Sequence, residues 1–392
     1  MSRNAQRLVT AAFLLFLGLA LAATLLREEE TYSFFENRTL APKPVYSAQA
    51  DGDGSYFSGW ERYLSDHAAG RNTLLRLKTQ LDLALGRPVV NDVVVTEEAL
   101  LPYLPERPVD RGAVSRQAGA MADRLAEIQA AVEGYGGYYC YVGVPCQYAC
   151  REEDYPWYLN NRADLSAWSV QELSRAAAER GVNFLDMGPV FRTQPDPDRL
   201  TSAVDNHYSI QGAYLTYRTI LERINAQAEL EVPVLGEEDV TISQVPNRYL
   251  GSRTRKLLAQ EWREDALYRL DPVEAVPFTR YNYGKETYSS LYALPEHPWE
   301  DVTYNLYMGG DLAETLIDTG REELPSVLVY GDSFTNALEC VMYLSFDKMY
   351  SLDLRHYKDM SLEDYIAGTR PQVVVCIRDY ESLLDLGANG GG

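Results

Sequence analysis

Two short stretches carry residue types suited to acyl-transfer chemistry. The first is Gly331-Asp332-Ser333-Phe334, which closes an apolar run over 326–330 and opens a helical pattern over 334–344. A serine hydroxyl is a weak nucleophile until a base stands within hydrogen-bond reach. At the start of a helix it also meets unpaired backbone N–H groups and the positive end of the helix dipole, which favour a developing oxyanion. The second stretch is Asp205-Asn206-His207-Tyr208, a polar loop ahead of a helical pattern over 209–227. In extended backbone, residues i and i+2 point the same way, so Asp205 is placed to hold the imidazole of His207 and fix its tautomer. The chain has only four histidines. His67 falls near a helix end, His297 lies between prolines and His356 follows Arg355 after a strand, which leaves His207 as the candidate base. Each stretch alone also reads as a helix cap, with Asp332, Ser333 or Ser209 in that role. Their joint occurrence favours chemistry.

A serine at a strand tip needs a sheet to hold it, and open parallel sheets bind ligands outside the carboxyl ends of their strands. Apolar runs at 138–145, from 182, and at 326–330, 347–353 and 372–377 read as strands. Helical patterns cover 110–132, 162–181 (closed by Gly181), 209–227, 334–344 and 361–367. This alternation predicts an α/β fold with a mostly parallel sheet and helices on both faces. Upstream lie two amphipathic helices within 56–87, with Gly70 and Gly86 where C-caps belong, and a strand, "VVNDVVV", at 89–95. Residues 228–304 are rich in Pro, Tyr and charge and read as a long insertion or small β-rich subdomain near the active face. Residues 387–392 read as a flexible tail.

Residues 8–26 carry no charge, and as a helix they span roughly 28 Å, close to a bilayer core. Arg3 and Arg7 precede this run, so the positive-inside rule puts residues 1–7 in the cytoplasm, a tether over 27–52 outside it, and an ectodomain over 53–386 beyond. A signal peptide cleaved near "ALA" at 20–22 is the alternative, giving a secreted protein. The formal net charge of −21 excludes a nucleic-acid partner, which needs a basic face. Tyrosine is abundant, 29 against 10 Phe, and suits partly wet surfaces and sugar contacts. Of the five cysteines, Cys140, Cys340 and Cys376 sit in apolar runs as buried thiols. Cys146 and Cys150 are close enough for a small loop disulfide, although a helical turn at this spacing misses the required Cα separation. No Cys/His spacing fits zinc, and neither metal nor cofactor is expected.

"DNHYSIQGAY", 205–214, resembles the Asp-His-His-Trp-Thr…Gly-Ala signature of the DHHW family, which is similar to the SGNH-type acetyltransferases of alginate O-acetylation. "FFENRTLAPKP", "FSGWERYLSDHAAGRNTLLRL", "YNLYMGGD", "LVYGDSFTNAL" and "YSLDLRHY" resemble further blocks of that family in order. The resemblance implies an SGNH-hydrolase-like (flavodoxin-like) fold with permuted motif order, because the Asp-x-His stretch precedes the serine. It implies Ser333 as nucleophile with His207 and Asp205 completing a triad. Asn206 and Tyr208 depart from the family's His and Trp beside the base, which bears on substrate contacts there. For the oxyanion hole the residues nominate the Ser333 N–H, Gly310 and the Asn336 side chain. Against these stand a turn in which Asp311 caps a helix "LAETL", and a solvent-facing Asn336. Arg355 reads as a structural ion pair or as a contact to an acidic polymer, and Asp332 as a turn stabiliser. The expected function is a membrane-anchored, extracytoplasmic O-acetyltransferase or esterase of cell-surface or exported polysaccharide, with a membrane-bound O-acyltransferase as acyl donor. A non-catalytic polysaccharide- or partner-binding protein on the same fold is the alternative.

Overall fold

The structure is a computed structural model that describes residues 2–47, 55–288 and 290–390. The chain divides into two compact units, Met1–Val95 with Thr254–Trp262, and Thr96–Arg253 with Arg263–Gly392.

The first unit begins with helix α1, Arg3–Leu26, whose first turn is capped by the Ser2 hydroxyl accepting the Ala5 N–H at 3.3 Å. α1 is long and apolar enough to cross a membrane, and nearly all its side chains are exposed. Helices α2, Ser55–His67, and α3, Arg71–Ala84, match the two amphipathic patterns. Part of the expected tether is ordered: Tyr32–Ser33 pairs antiparallel with Arg38–Thr39. Arg38 holds Asp66 at 2.5 Å, and the same carboxylate accepts the Ala41 N–H at 2.9 Å. The Arg38 hydrogen bond in particular holds the Asp66 carboxyl down at about 2. Residues 48–52 of the tether lie outside the described residues. The single strand expected at 89–95 is a hairpin, Val89–Val90 against Val93–Val95. Asn91 and Asp92 both take left-handed backbone, φ 48° and 60°, the conformation a two-residue hairpin turn requires and one that Asn and Asp tolerate.

The second unit is built on one eight-stranded sheet. Its strands are β1 Tyr138–Val144, β2 Phe184–Asp186, β3 Thr279–Asn282, β4 Lys285–Thr287, β5 Glu314–Asp318, β6 Val327–Gly331, β7 Lys348–Asp353 and β8 Val373–Asp379, in the order β4-β3-β5-β7-β6-β8-β1-β2. The run β7-β6-β8-β1-β2 is parallel, and β5, β3 and β4 add an antiparallel edge. Helices α4, Arg111–Glu133, α5, Ala163–Arg180, and α8, Leu362–Thr369, share a core with Tyr139, Tyr141, Leu328, Tyr330, Val374 and Cys376 on one face. Alternate residues point to the other face, where the Tyr138 hydroxyl meets Gln227 of α6, Ile210–Gln227, at 2.7 Å, and α6 packs on α7, Thr335–Met342. Coverage on both faces explains why β6 and β8 are buried at every residue and read as apolar runs, β8 as far as Ile377.

Several expectations need correction. Of the two readings of residues 228–304, the structure favours an insertion with short strands over a separate subdomain, because β3 joins the edge of the main sheet through β5; Val240–Gln244 and Tyr268–Pro272 pair as a further antiparallel hairpin. "LAETL" is not a helix. Residues 314–318 form β5, with Thr315 and Ile317 buried at strand spacing. The chain end is docked through Gly390: Arg124 Nε donates to the Asn389 carbonyl at 3.0 Å and Asn389 is buried. Residues 391–392 lie outside the described residues. Cys146 and Cys150 are free thiols, like the other three cysteines. Cys146 caps a one-turn helix, Gln147–Cys150, that ends on Cys150, and burial pushes the Cys150 thiol up to about 12.

Candidate active site

β6 runs into the sheet between β7 and β8, and Gly331 lets it end there. A Cβ at Gly331 would lie 2.5 Å from both the Ile377 carbonyl oxygen and Thr335 Cγ2. The turn that follows is made by Asp332, whose Oδ1 accepts the Phe334 N–H at 3.0 Å and whose carbonyl accepts the Thr335 N–H at 2.9 Å. Its other oxygen is reached by Ser382 Oγ at 3.1 Å and Arg378 Nη1 at 3.3 Å. Asp332 is thus committed to the turn, and Ser333 stands past the end of β6. From β6 the chain passes to β7 on one side and returns by α8 to β8 on the other. That reversal is where open α/β sheets place their ligands.

The loop ahead of α6 is held from three directions. Thr201 and Tyr208 form an antiparallel bridge, and the Ser209 N–H donates to the Leu200 carbonyl at 2.9 Å. The Ser209 hydroxyl then caps α6 by accepting the Gly212 N–H at 3.1 Å. On one side Asp265 Oδ2 accepts the Ser202 hydroxyl at 2.5 Å and the Ala203 and Val204 N–H groups at 2.7 and 3.3 Å. On the other the Arg253 N–H donates to the Val204 carbonyl at 3.0 Å. Gly251 makes that approach possible, since a Cβ there would lie 2.3 Å from the Val204 oxygen.

This packing aligns three side chains from two distant stretches of the chain. His207 Nε2 lies 2.7 Å from Ser333 Oγ, and His207 Nδ1 lies 2.5 Å from Asp205 Oδ1. Asp205 Oδ2 accepts the Ser252 N–H at 2.6 Å. Burial alone would raise the Asp205 carboxyl, but the charge and hydrogen bond of His207, with the Ser252 N–H, outweigh it and hold the group well below the usual carboxylate range. An ionised Asp205 keeps the proton on Nδ1 and leaves the Nε2 lone pair facing the serine hydroxyl. The ring of Tyr304 lies flat on the imidazole, with centroids 3.7 Å apart and planes 4° from parallel. Tyr208 is buried, stacks on Phe334 at 5.3 Å and donates its hydroxyl to the Phe334 carbonyl, so it braces the turn after Ser333.

Among the described residues the Ser333 N–H donates to no protein acceptor. The other nominated donors have partners: the Gly310 N–H bonds the Tyr307 carbonyl at 3.1 Å, and Asn336 Nδ2 bonds Asp311 Oδ1 at 3.0 Å. Asn336 is buried, not solvent-facing, because α7 is enclosed on all sides. Arg355 is an ion-pair residue, 2.6 Å from Asp353 and 2.8 Å from Asp311. His356 lies 4.0 Å from Asp353, and His297 stacks on Trp299 at 4.3 Å. Sequence reasoning missed Tyr304, Ser252, Arg253 and Asp265. Tyr304 was one tyrosine among many, and the other three lie in the segment with no readable period.

Residues 108–294 match the family described as SGNH hydrolase-like domain, acetyltransferase AlgX. Bacillus cereus PatB1, solved with a sulfonyl adduct, superposes with a TM-score of 0.60 at 17% identity, over 74% of this chain and 97% of that one. A DHHW family protein from Eubacterium siraeum superposes with a TM-score of 0.57 at 18% identity, over 77% of this chain and 95% of that one. The O-acetyltransferase domain of Pseudomonas putida AlgJ gives a TM-score of 0.47 at 13% identity, over 75% and 92% of the two chains. No curated protein matches the sequence. The chain therefore has an SGNH-like α/β fold, as the sequence resemblance implied.

Proposed function

We propose that this protein is a serine O-acyltransferase or esterase, anchored by α1 outside the cytoplasm and acting on cell-surface or exported polysaccharide. The observation that carries the reading is the hydrogen-bonded line from Ser333 Oγ through His207 to Asp205. His207 Nε2 takes the hydroxyl proton as Oγ attacks an acyl carbonyl. The tetrahedral oxyanion faces the Ser333 N–H. Collapse breaks the ester C–O bond, and His207 returns its proton to the leaving oxygen. The acyl-serine is then attacked by a sugar hydroxyl or by water, deprotonated by the same imidazole; collapse breaks the bond between the acyl carbon and Ser333 Oγ, and His207 returns the proton to Oγ. Asp205 stabilises the imidazolium in both halves. The match to an acetyltransferase family supports transfer over hydrolysis. Since acetyl-CoA is not expected outside the cell, the acyl group would come from a membrane-bound O-acyltransferase partner. The length and apolarity of α1, with Arg3 and Arg7 ahead of its uncharged core, support the anchored topology. The test is turnover of p-nitrophenyl acetate by the purified chain: Ser333→Ala and His207→Ala should each abolish it, and full turnover by Ser333→Ala would overturn the reading.

A further inference from the structure

Helix α3 buries polar side chains and exposes leucines. Its rotation is fixed by hydrogen bonds on the inner side. The buried Thr79 hydroxyl accepts the Asn91 side-chain amide at 2.8 Å and donates to the Leu75 carbonyl at 2.9 Å. The buried Asp82 carboxylate pairs with Lys78 at 2.8 Å and with Arg87 at 3.2 Å. This leaves Leu74, Leu77, Leu81 and, at the helix end, Leu85 57–66% exposed. At about 100° per residue the four fall within an arc of about 80° and make a seam roughly 16 Å long. A surface helix of a globular domain turns such a stripe inward, and a contiguous apolar face left open marks a contact. Among the described residues nothing covers it.

Position and charge say what covers it. The Thr24 hydroxyl, in the last turn of α1, accepts the Ala69 N–H at 3.0 Å, two residues before α3 begins. Just past α1, Glu29 accepts the Tyr63 hydroxyl of α2 at 3.1 Å. α3 therefore starts where α1 ends, and it does not pack back along α1, whose side chains are nearly all exposed. Residues 71–87 carry Arg71, Arg76, Lys78 and Arg87 against Asp82 alone, in a chain of net charge −21. On the helix Lys78 and Arg71 flank one edge of the leucine seam. Cations beside an apolar stripe are the pattern of a helix lying in the surface of a bilayer with anionic lipids.

We infer that the leucine face of α3 lies in the lipid–water interface beside the point where α1 enters the bilayer, with Arg71 and Lys78 at the level of anionic headgroups. This rests on the reading of α1 as a membrane anchor and adds a second membrane contact. A single span lets the unit that carries it swivel about the chain, whereas a seam along α3 fixes how that unit is held against the membrane.

The experiment is nitroxide labelling of the full chain in nanodiscs of phosphatidylcholine with phosphatidylglycerol, at Leu77→Cys, Leu81→Cys and Gln80→Cys in α3 and at Leu15→Cys in α1. Cys150 is half-buried and the other native thiols are buried, so the labelled wild type supplies the background. Molecular oxygen concentrates in lipid, and a nickel chelate stays in water. The apolar face of an interfacial helix sits below the headgroups, so labels at 77 and 81 should show an oxygen-to-nickel collision ratio about threefold or more above that at 80. The excess should shrink in phosphatidylcholine alone, and an unchanged excess would overturn the part given to Arg71 and Lys78. Nickel collision at 77 and 81 as frequent as at 80 would put the seam in water and overturn the inference. Low collision with both reagents would mean that a second copy covers it, which overturns it equally. The two readings fail separately: a label at 15 in lipid with those at 77 and 81 in water keeps the anchor and loses this inference, whereas a label at 15 in water removes the anchor itself.

Discussion

Replacing Asp205 by Asn removes one charge and changes almost no volume, so the consequence follows from hydrogen bonds. The carboxylate accepts from His207 Nδ1 at 2.5 Å through one oxygen and from the Ser252 N–H at 2.6 Å through the other. An asparagine has one acceptor. The Ser252 N–H is a backbone donor with no alternative orientation, and leaving it unpaired would cost about 1–3 kcal/mol. The amide oxygen therefore turns to Ser252, and the amide nitrogen, which only donates, turns to His207. Nδ1 must then present its lone pair, the ring proton moves to Nε2, and the imidazole points an N–H at the serine hydroxyl. The base is lost although every atom stays in place. We expect kcat for p-nitrophenyl acetate to fall about 10³- to 10⁴-fold, roughly 4–5.5 kcal/mol in activation free energy. Raising the pH should not restore it, since the fault is a tautomer and not a protonation state. A loss smaller than tenfold would refute the reasoning. The same substitution has a stability signature. The folded-state carboxyl lies below its unfolded value, so its contribution is present above about pH 4 and is lost as pH falls through the depressed value. Asp205→Asn should therefore unfold with less acid dependence than wild type.

Further outcomes follow from other contacts. Tyr304→Leu removes the aromatic face lying 3.7 Å from the imidazole and with it a cation–π contribution of about 0.5–2 kcal/mol to the imidazolium. Acylation should slow roughly 2- to 30-fold, whereas Tyr304→Phe should stay near wild type because the hydroxyl is buried without a partner; a Phe variant worse than Leu would contradict this. The Asp379 carboxyl is raised to about 6, first by burial and then by the charge of Asp332. The folded chain thus keeps a proton that the unfolded chain has released between about pH 4 and 6, and stability falls as pH rises across that window. Asp379→Asn should raise Tm at pH 7 relative to wild type and lose that advantage at pH 4; a constant difference would count against the assignment. Finally, all five thiols should react with Ellman's reagent once the chain is unfolded without reductant, and a count of three would restore the Cys146–Cys150 bridge.

The parallel core was legible because both sheet faces are covered, which turns β6 and most of β8 into apolar runs of strand length. The proposed catalytic residues were legible for a different reason. With four histidines in the chain, only one lay in an Asp-x-His loop, and the serine sat at a strand-to-helix step. What the sequence hid depends on single turns and on tertiary partners. Asn91-Asp92 folds 89–95 back on itself because both residues accept left-handed backbone, a property that an apolar pattern does not report. "LAETL" has helix-forming residues, but Thr315 and Ile317 are recruited at strand spacing by pairing with β7. The Asp265 carboxylate and the Gly251–Arg253 clamp hold the loop around Asp205 across some 50 to 60 residues of chain, a separation at which composition carries no signal. Tyr304 differs from the other tyrosines only in the ring it covers.

The most direct measurement is the mass of the intact chain after treatment with phenylmethanesulfonyl fluoride, in which Ser333 Oγ would bond to sulfur, fluoride would leave and His207 would take the proton. The account predicts one sulfonyl group per chain, mapped by peptide sequencing to Ser333 and absent from His207→Ala. An unmodified wild-type chain, or a label on any other residue, would contradict it.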